Sequence, residues 1–154
     1  MNSTIRIQNH DFDLGAEYQL LRQLDSAVGA VVTFTGLVRD LEKNTSINSL
    51  TLQHYPGMTE SLLQEIVDQA QQRWDLVGVT VIHRVGELLP SDQIVLVGVA
   101  SQHRADAFEA AQFVMDYLKT KATFWKKVDQ HGQQHWVESK GSDQAASDRW
   151  TRDG

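Results

Sequence analysis

Four lysines, Lys119, Lys121, Lys126 and Lys127, fall within nine residues of a chain whose formal net charge is -6. For any one of them the plain alternative is a solvated helix end, where the backbone dipole favours cations. Lys119 and Lys126 suggest more than that. Lys119 follows directly on an apolar stripe ending at Leu118, and Lys126 follows the bulky pair Phe124-Trp125. An amine held beside apolar groups and other cations has its charged form disfavoured, which suits it to acid/base or nucleophilic work. His103-Arg104 is the second candidate. With Ser101 as the expected helix cap, it combines free backbone N–H groups with a bidentate guanidinium, a setting for an anion; the alternative is a capped, exposed helix start. Arg39 is the third, at the mouth of a polar loop behind Thr33-Phe34-Thr35-Gly36, and loops leaving buried strands commonly carry function. His83 falls on the apolar face of a strand and reads as a satisfied core histidine rather than a ligand. These groups describe a site for an anionic ligand with two lysines able to do chemistry. They do not name the substrate.

Other chemistries are excluded by what is missing. With no cysteine in the chain, disulfides, thiol nucleophiles and thiolate metal ligands are ruled out. Any sulfur handled here must arrive on another molecule. The glycine-rich dinucleotide and phosphate loops and the G-x-S-x-G elbow are absent. His131 and His135 are four apart, but Gly132 between them disfavours a helix and no acidic ligand stands in register. Neither a metal site nor a resident cofactor is therefore expected. The acidic balance argues against a general nucleic-acid binder. Met1 to His10 lacks the apolar core of a signal peptide, and the most apolar stretch, Ala27 to Val38, is far shorter than the roughly 20 residues a membrane helix needs. A cytoplasmic protein without a membrane partner is expected.

The elements that must position these groups are legible in the periodicity. At 154 residues, 41% hydrophobic and 22% charged, the chain suits a single domain over residues 1–154, with a core from about 4 to 140 and a polar tail at 142–154. Thr4 to Gln8 alternates as an edge strand. Asp13 caps a helix with Ala16, Leu20, Leu21 and Leu24 at helical spacing. Val28 to Thr35 reads as a strand buried on both faces, and Ser49 to Tyr55 alternates with Leu50 and Leu52 inward. Thr59 is expected to cap a helix striped by Leu62, Ile66, Ala70 and Trp74. Val77 to Val85 is a strand with Val79, Val81, His83 and Val85 on one face, and Ile94 to Ala100 is another. A helix over about His103–Thr120 carries Ala107, Ala111, Val114 and Leu118 inward. Trp125 to Asp129 and His135 to Glu138 form a hairpin around His131-Gly132. Strands follow strands as well as helices, so the expected class is α+β with a mixed, largely antiparallel sheet packed with helices.

Five segments carry a family resemblance. They are Gly29 to Gly36 with Val38-Arg39; Leu52 to Met58; Val81 to Leu88; His103-Arg104; and Met115 to Lys119 continuing through Phe124-Trp125-Lys126-Lys127. In these the chain resembles the large subunit of molybdopterin synthase, the MoaE family, over about residues 29 to 138. The resemblance implies an α/β hammerhead fold and a sulfurtransferase without a cofactor. The sulfur donor is a small ubiquitin-like partner with a thiocarboxylate on its C-terminal glycine, and the acceptor is cyclic pyranopterin monophosphate. Two transfers build the dithiolene of molybdopterin. The resemblance further implies that Lys119 is the catalytic acid/base or charge stabiliser and that Lys126 faces it across the pocket. It makes Arg39, His103 and Arg104 the anchors for the pterin and its phosphate, with Leu37, Val38, Lys127 and Val128 lining the same pocket. It implies a homodimer at the centre of a heterotetramer with the small partner. Val128 stands where relatives often have an acid, Thr123 where proline is common and Lys140 where arginine is frequent. The last change would weaken bidentate anion binding. Two alternatives remain: a catalytically idle module that docks a ubiquitin-like protein, and an anion-binding enzyme of another class.

Overall fold

A computed structural model of the chain describes residues 1–39, 49–122, 124–130 and 133–137, together with 148 and 150. Among the described residues there are two four-stranded sheets and three helices, with a main hydrophobic core and a smaller cluster of Phe12, Ile82 and Leu96. The first sheet has the order β1 (Asn2–Gln8), β4 (Leu76–Arg84), β6 (Gln93–Ser101), β2 (Ala30–Leu37); the second runs β5 (Gly86–Leu88), β3 (Ser49–His54), β7 (Phe124–Gln130), β8 (Gln133–Val137). Among the described residues only the β1–β4 pair is parallel; every other pairing is antiparallel. The α+β class with a largely antiparallel arrangement is borne out, and its division into two sheets is new.

The helices cover both faces of the first sheet. α1 (Leu14–Arg22) packs on β2, β4 and β6, and it sits close because the sheet has glycines beneath it. A Cβ added to Gly98 would lie 2.5 Å from Leu21 Cδ1, and one added to Gly78 would lie 2.3 Å from Leu24 Cδ1. α2 (Met58–Arg73) and α3 (Arg104–Lys121) pack together on the opposite face. There Val79, Val81, Val97 and Val99 meet Ala107, Ala110, Val114 and Leu118, each at most 3% exposed. Burying a valine or leucine of this kind contributes about 1.5–3 kcal/mol. Leu50, Leu52, Leu88 and Val128 bring the second sheet into the same core.

Several expected features take a different form. β2 is an edge strand, and Phe34 and Leu37 are 42% and 56% exposed, where burial on both faces was expected. Asp13 caps α1 as expected, its carboxylate accepting from Ala16 N–H at 3.1 Å. However, the buried stripe runs through Glu17 and Leu21 while Leu20 is exposed. α2 starts at Met58, with the Glu60 carboxylate accepting from Gly57 N–H, and the Thr59 hydroxyl instead accepts from Tyr55 N–H. Its stripe keeps Ile66 and Ala70 as expected, with Trp74 partly buried beside them, while Leu63 and Val67 take the inner positions in place of Leu62. Ser101 ends β6 and donates to the Asp75 carbonyl, so it does not cap α3. Trp150, within the expected polar tail, is buried against Trp74 and Phe113, and its indole N–H donates to Asp116 at 2.7 Å. Thr123, Lys140, His131 and Gly132 lie outside the described residues.

Candidate active site

α3 decides which of the candidate groups can act together. It begins at Arg104 directly after β6 and runs back across β6 and β2, so its C-terminal end overlies the start of β6 and the end of β2. Arg104 and Lys119 are 15 residues apart on it, which at 1.5 Å per residue is about 22 Å. Within one chain, His103 and Arg104 therefore cannot share a pocket with Lys119. Both are exposed at the far end of the helix, near Gly29 and the start of β2. The single anion site expected from the sequence is divided between two ends of the fold.

The other groups gather at the Lys119 end. Strand register puts His83 beside Val95, and Val95 beside Gly36, so β2 delivers Leu37, Val38 and the exposed Arg39 to this end. Val38 serves structure there. Its side chain is 4% exposed, its N–H donates to the Asp92 carbonyl and its carbonyl accepts from Ser91 N–H, so its backbone is already engaged in holding the β5–β6 turn. Leu37 presents an exposed side chain.

β7 supplies Lys126. Alternation along a strand puts Phe124, Lys126 and Val128 on one face and Trp125 and Lys127 on the other. Register partners confirm which face is inward: Lys126 lies opposite Leu52 and Val128 opposite Leu50, both core residues. Lys126 is half-buried on the inner face, while Lys127 points to the outer one and so does not join it. The Val128 side chain is fully buried, leaving only its backbone to meet a ligand.

Lys119 and Lys126 converge on His83. The imidazole is 5% exposed, its ring lies nearly parallel to Phe124 with centroids 3.9 Å apart, and its Nδ1 is 2.8 Å from the Arg84 carbonyl. Burial is the main cause that pushes its pKa down to about 3; the nearby charges of Lys119, Lys126 and His54 act in the same direction, against the hydrogen bond to Arg84. The ring is neutral at any physiological pH. Lys119 is exposed in this chain by itself, at the open side of the cluster, rather than enclosed as the sequence suggested.

An open groove adjoins the cluster, walled by His54, Tyr55 and Trp125 and floored by Leu52, Val85 and Gly86. Tyr55 and Trp125 meet edge to face at 4.3 Å. Sequence reasoning passed over these residues as site members. The available signal was Trp125 beside Lys126 and the alternation that sets His54 in line with Leu50 and Leu52. Among the described residues no group of three or more His, Asp or Glu side chains could hold a metal ion, and no helix is long and apolar enough to cross a membrane.

The MoaE protein family model matches residues 7–121. The molybdopterin synthase catalytic subunit of Escherichia coli (strain K12) is 58% identical over 139 residues, covering 90% of this chain and 92% of that protein. The molybdopterin synthase catalytic subunit of Yersinia pestis is 54% identical over 149 residues, covering 97% and 98%. The solved structure of the molybdopterin biosynthesis MoaE protein from Burkholderia ambifaria MC40-6 superposes with a TM-score of 0.84 at 48% identity, covering 97% of this chain and 98% of that one. With the two sheets and three helices of its described residues, and the matched segment running from β1 to the end of α3, the chain belongs to the MoaE protein family.

Proposed function

We infer that this chain is the catalytic subunit of a molybdopterin synthase, moving sulfur from the thiocarboxylated C-terminal glycine of a small ubiquitin-like partner to cyclic pyranopterin monophosphate. The names of the relatives support the reaction class. The observation that carries the site assignment is the convergence of Lys119, from the end of α3, and Lys126, from the inner face of β7, around one neutral histidine. Two ammonium groups flanking an uncharged ring suit an anionic reaction centre.

The chemistry asked of them is modest. The terminal sulfur forms a C–S bond to a pterin carbon as an oxygen substituent leaves that carbon; water then adds at the acyl carbon, negative charge develops on the acyl oxygen, and the old C–S bond breaks to leave the partner as a carboxylate. A fixed cation there stabilises the transition state more than the ground state. Lys119, on the open side, is suited to proton transfer with the incoming groups, and Lys126 to holding charge. The groove beside His54, Tyr55 and Trp125 is where we seat the partner's tail, its aromatic walls suiting a slender extended chain.

His103 and Arg104 act at the same reaction centre only if a second protomer supplies them. The exposed edge of β2, bearing Phe34 and Leu37, suits such an association. A two-fold antiparallel pairing along that edge would set the Ala30 end of one copy against the Leu37 end of the other. The His103-Arg104 anchor of one chain would then approach Arg39 and Lys119 of its partner. This gives the expected homodimer a chemical purpose, with one small subunit at each site of a heterotetramer in the cytoplasm.

The test is dithiolene formation from thiocarboxylated partner and pterin substrate. Lys119→Ala abolishes product while the partner still binds with unchanged affinity. Full turnover by that variant would refute the assignment, and partner binding by the unsubstituted chain with no product at all would leave a docking module in place of an enzyme.

A further inference from the structure

His83 is a buried titratable group that the sulfur-transfer chemistry does not use. It sits on the inward face of β4 with Val79 and Val81. A carbonyl oxygen can only accept, so the 2.8 Å contact with Arg84 makes Nδ1 the protonated nitrogen and leaves a lone pair on Nε2. The ring then lies flat on Phe124, with 19° between the planes. Phe124 is two residues before Lys126 on the same face of β7. Because β4 belongs to the first sheet and β7 to the second, this stack joins the sheets at the point where the lysines meet. The charged and titratable groups bearing on the ring are Lys119 from α3, Lys126 from β7 and His54 from β3.

We propose that His83 is a positioning residue for the lysine pair: a neutral, flat spacer whose stack on Phe124 sets where β7 presents Lys126 relative to Lys119. Packing between β4 and β7 holds the plane of the ring against Phe124, and the Nδ1–H bond to Arg84 satisfies its buried nitrogen. A protonated side chain in this place would repel both ammonium groups, and a flexible one would let the start of β7 shift. Burial keeps the ring uncharged, which agrees with its depressed basicity.

The activity arm of the test rests on the sulfur-transfer reading; the second arm does not. In the first, His83→Ala lowers kcat about ten-fold or more with KM for the partner within about two-fold, and His83→Phe, which keeps the plane, recovers kcat to within about three-fold of the parent. The pH profile of His83→Phe keeps the shape of the parent's. Loss of a limb near neutral pH would make His83 a proton-transfer group and overturn the proposal.

In the second arm, the chain is acetylated with an N-hydroxysuccinimide ester and each lysine is followed by peptide mass spectrometry. Lys126 labels about three-fold faster in His83→Ala, relative to exposed Lys121 in the same digest, and is unchanged in His83→Phe. Unaltered Lys126 labelling in His83→Ala overturns the proposal whether or not the protein transfers sulfur. If His83→Ala fails to fold, His83→Phe and His83→Gln decide. The proposal requires Phe, which keeps the ring, to show the higher kcat and the slower Lys126 labelling of the two, against Gln, which keeps only an N–H donor, and the reverse order overturns it.

Discussion

Burial of a neutral histidine makes a prediction about acid stability that can be worked through. The His83 ring titrates near 6.5 when free and near 3 in the folded chain, mainly because burial disfavours its charged form. A depressed folded pKa on a base means that the fold binds the uncharged ring. Its contribution is intact above pH 6.5 and is lost as pH falls toward 3, because only the unfolded chain gains the proton. Between pH 7 and pH 5 the linkage relation gives a loss of about 2 kcal/mol from this group alone. His83→Phe removes that component and leaves all other titrating groups in place. Urea unfolding of both proteins at pH 7 and pH 5, at one protein concentration so that self-association cancels, isolates it. The parent should lose about 2 kcal/mol more than the variant over this interval. Parallel losses, equal to within about 0.5 kcal/mol, would mean that the native ring takes up the proton freely, and the description of a dry, cation-flanked histidine would be wrong.

Other consequences follow from packing and assembly. Trp150→Ala empties a site against Trp74 and Phe113 and removes the donor to Asp116, and should cost about 3 kcal/mol, read as a lower thermal midpoint. Gly98→Ala places a methyl group 2.5 Å from Leu21 Cδ1, and should cost about 1–3 kcal/mol in urea unfolding; in a Leu21→Ala background that cost should largely vanish, and simple additivity would contradict the close approach. Arg104→Ala and Lys119→Ala chains should each be inactive alone. Mixed and re-equilibrated in equal amounts, they should regain about a quarter of parental turnover, since half the dimers are mixed and each of those has one intact site. No recovery would show that Arg104 and Lys119 are not shared across protomers.

The elements most legible in the sequence are those whose signal is local. β4 was readable because Val79, Val81 and His83 alternate over a full strand, and the inner stripe of α3 because Ala107, Ala111, Val114 and Leu118 keep helical spacing. The features that were misread depend on distant parts of the chain. A β-branched run looks the same at a sheet edge as at its centre, so β2 could not be placed before its single partner β6 was known. Ser101 looked like a cap because it precedes a helix, but the Asp75 carbonyl took its hydroxyl. Trp150 found its partners just past the end of α2 and on α3, which nothing in a polar tail announces. The two lysines were visible as types and positions, whereas their common neighbour His83 emerged only when β4, β7 and α3 were folded together. The separation of Arg104 from Lys119 was implicit in the length of α3. It acquires meaning only once the helix is known to be unbroken from one to the other.

The most direct test is a solved complex of this chain with the thiocarboxylated C-terminal tail of its small partner. The tail should run past Tyr55 and Trp125 and end with its terminal thiocarboxylate between Lys119 and Lys126, its oxygen and sulfur within hydrogen-bond reach of the two ammonium groups. A tail that ends on another face, or that leaves either lysine turned away from its terminus, would contradict the assignment of this site as the place of sulfur transfer.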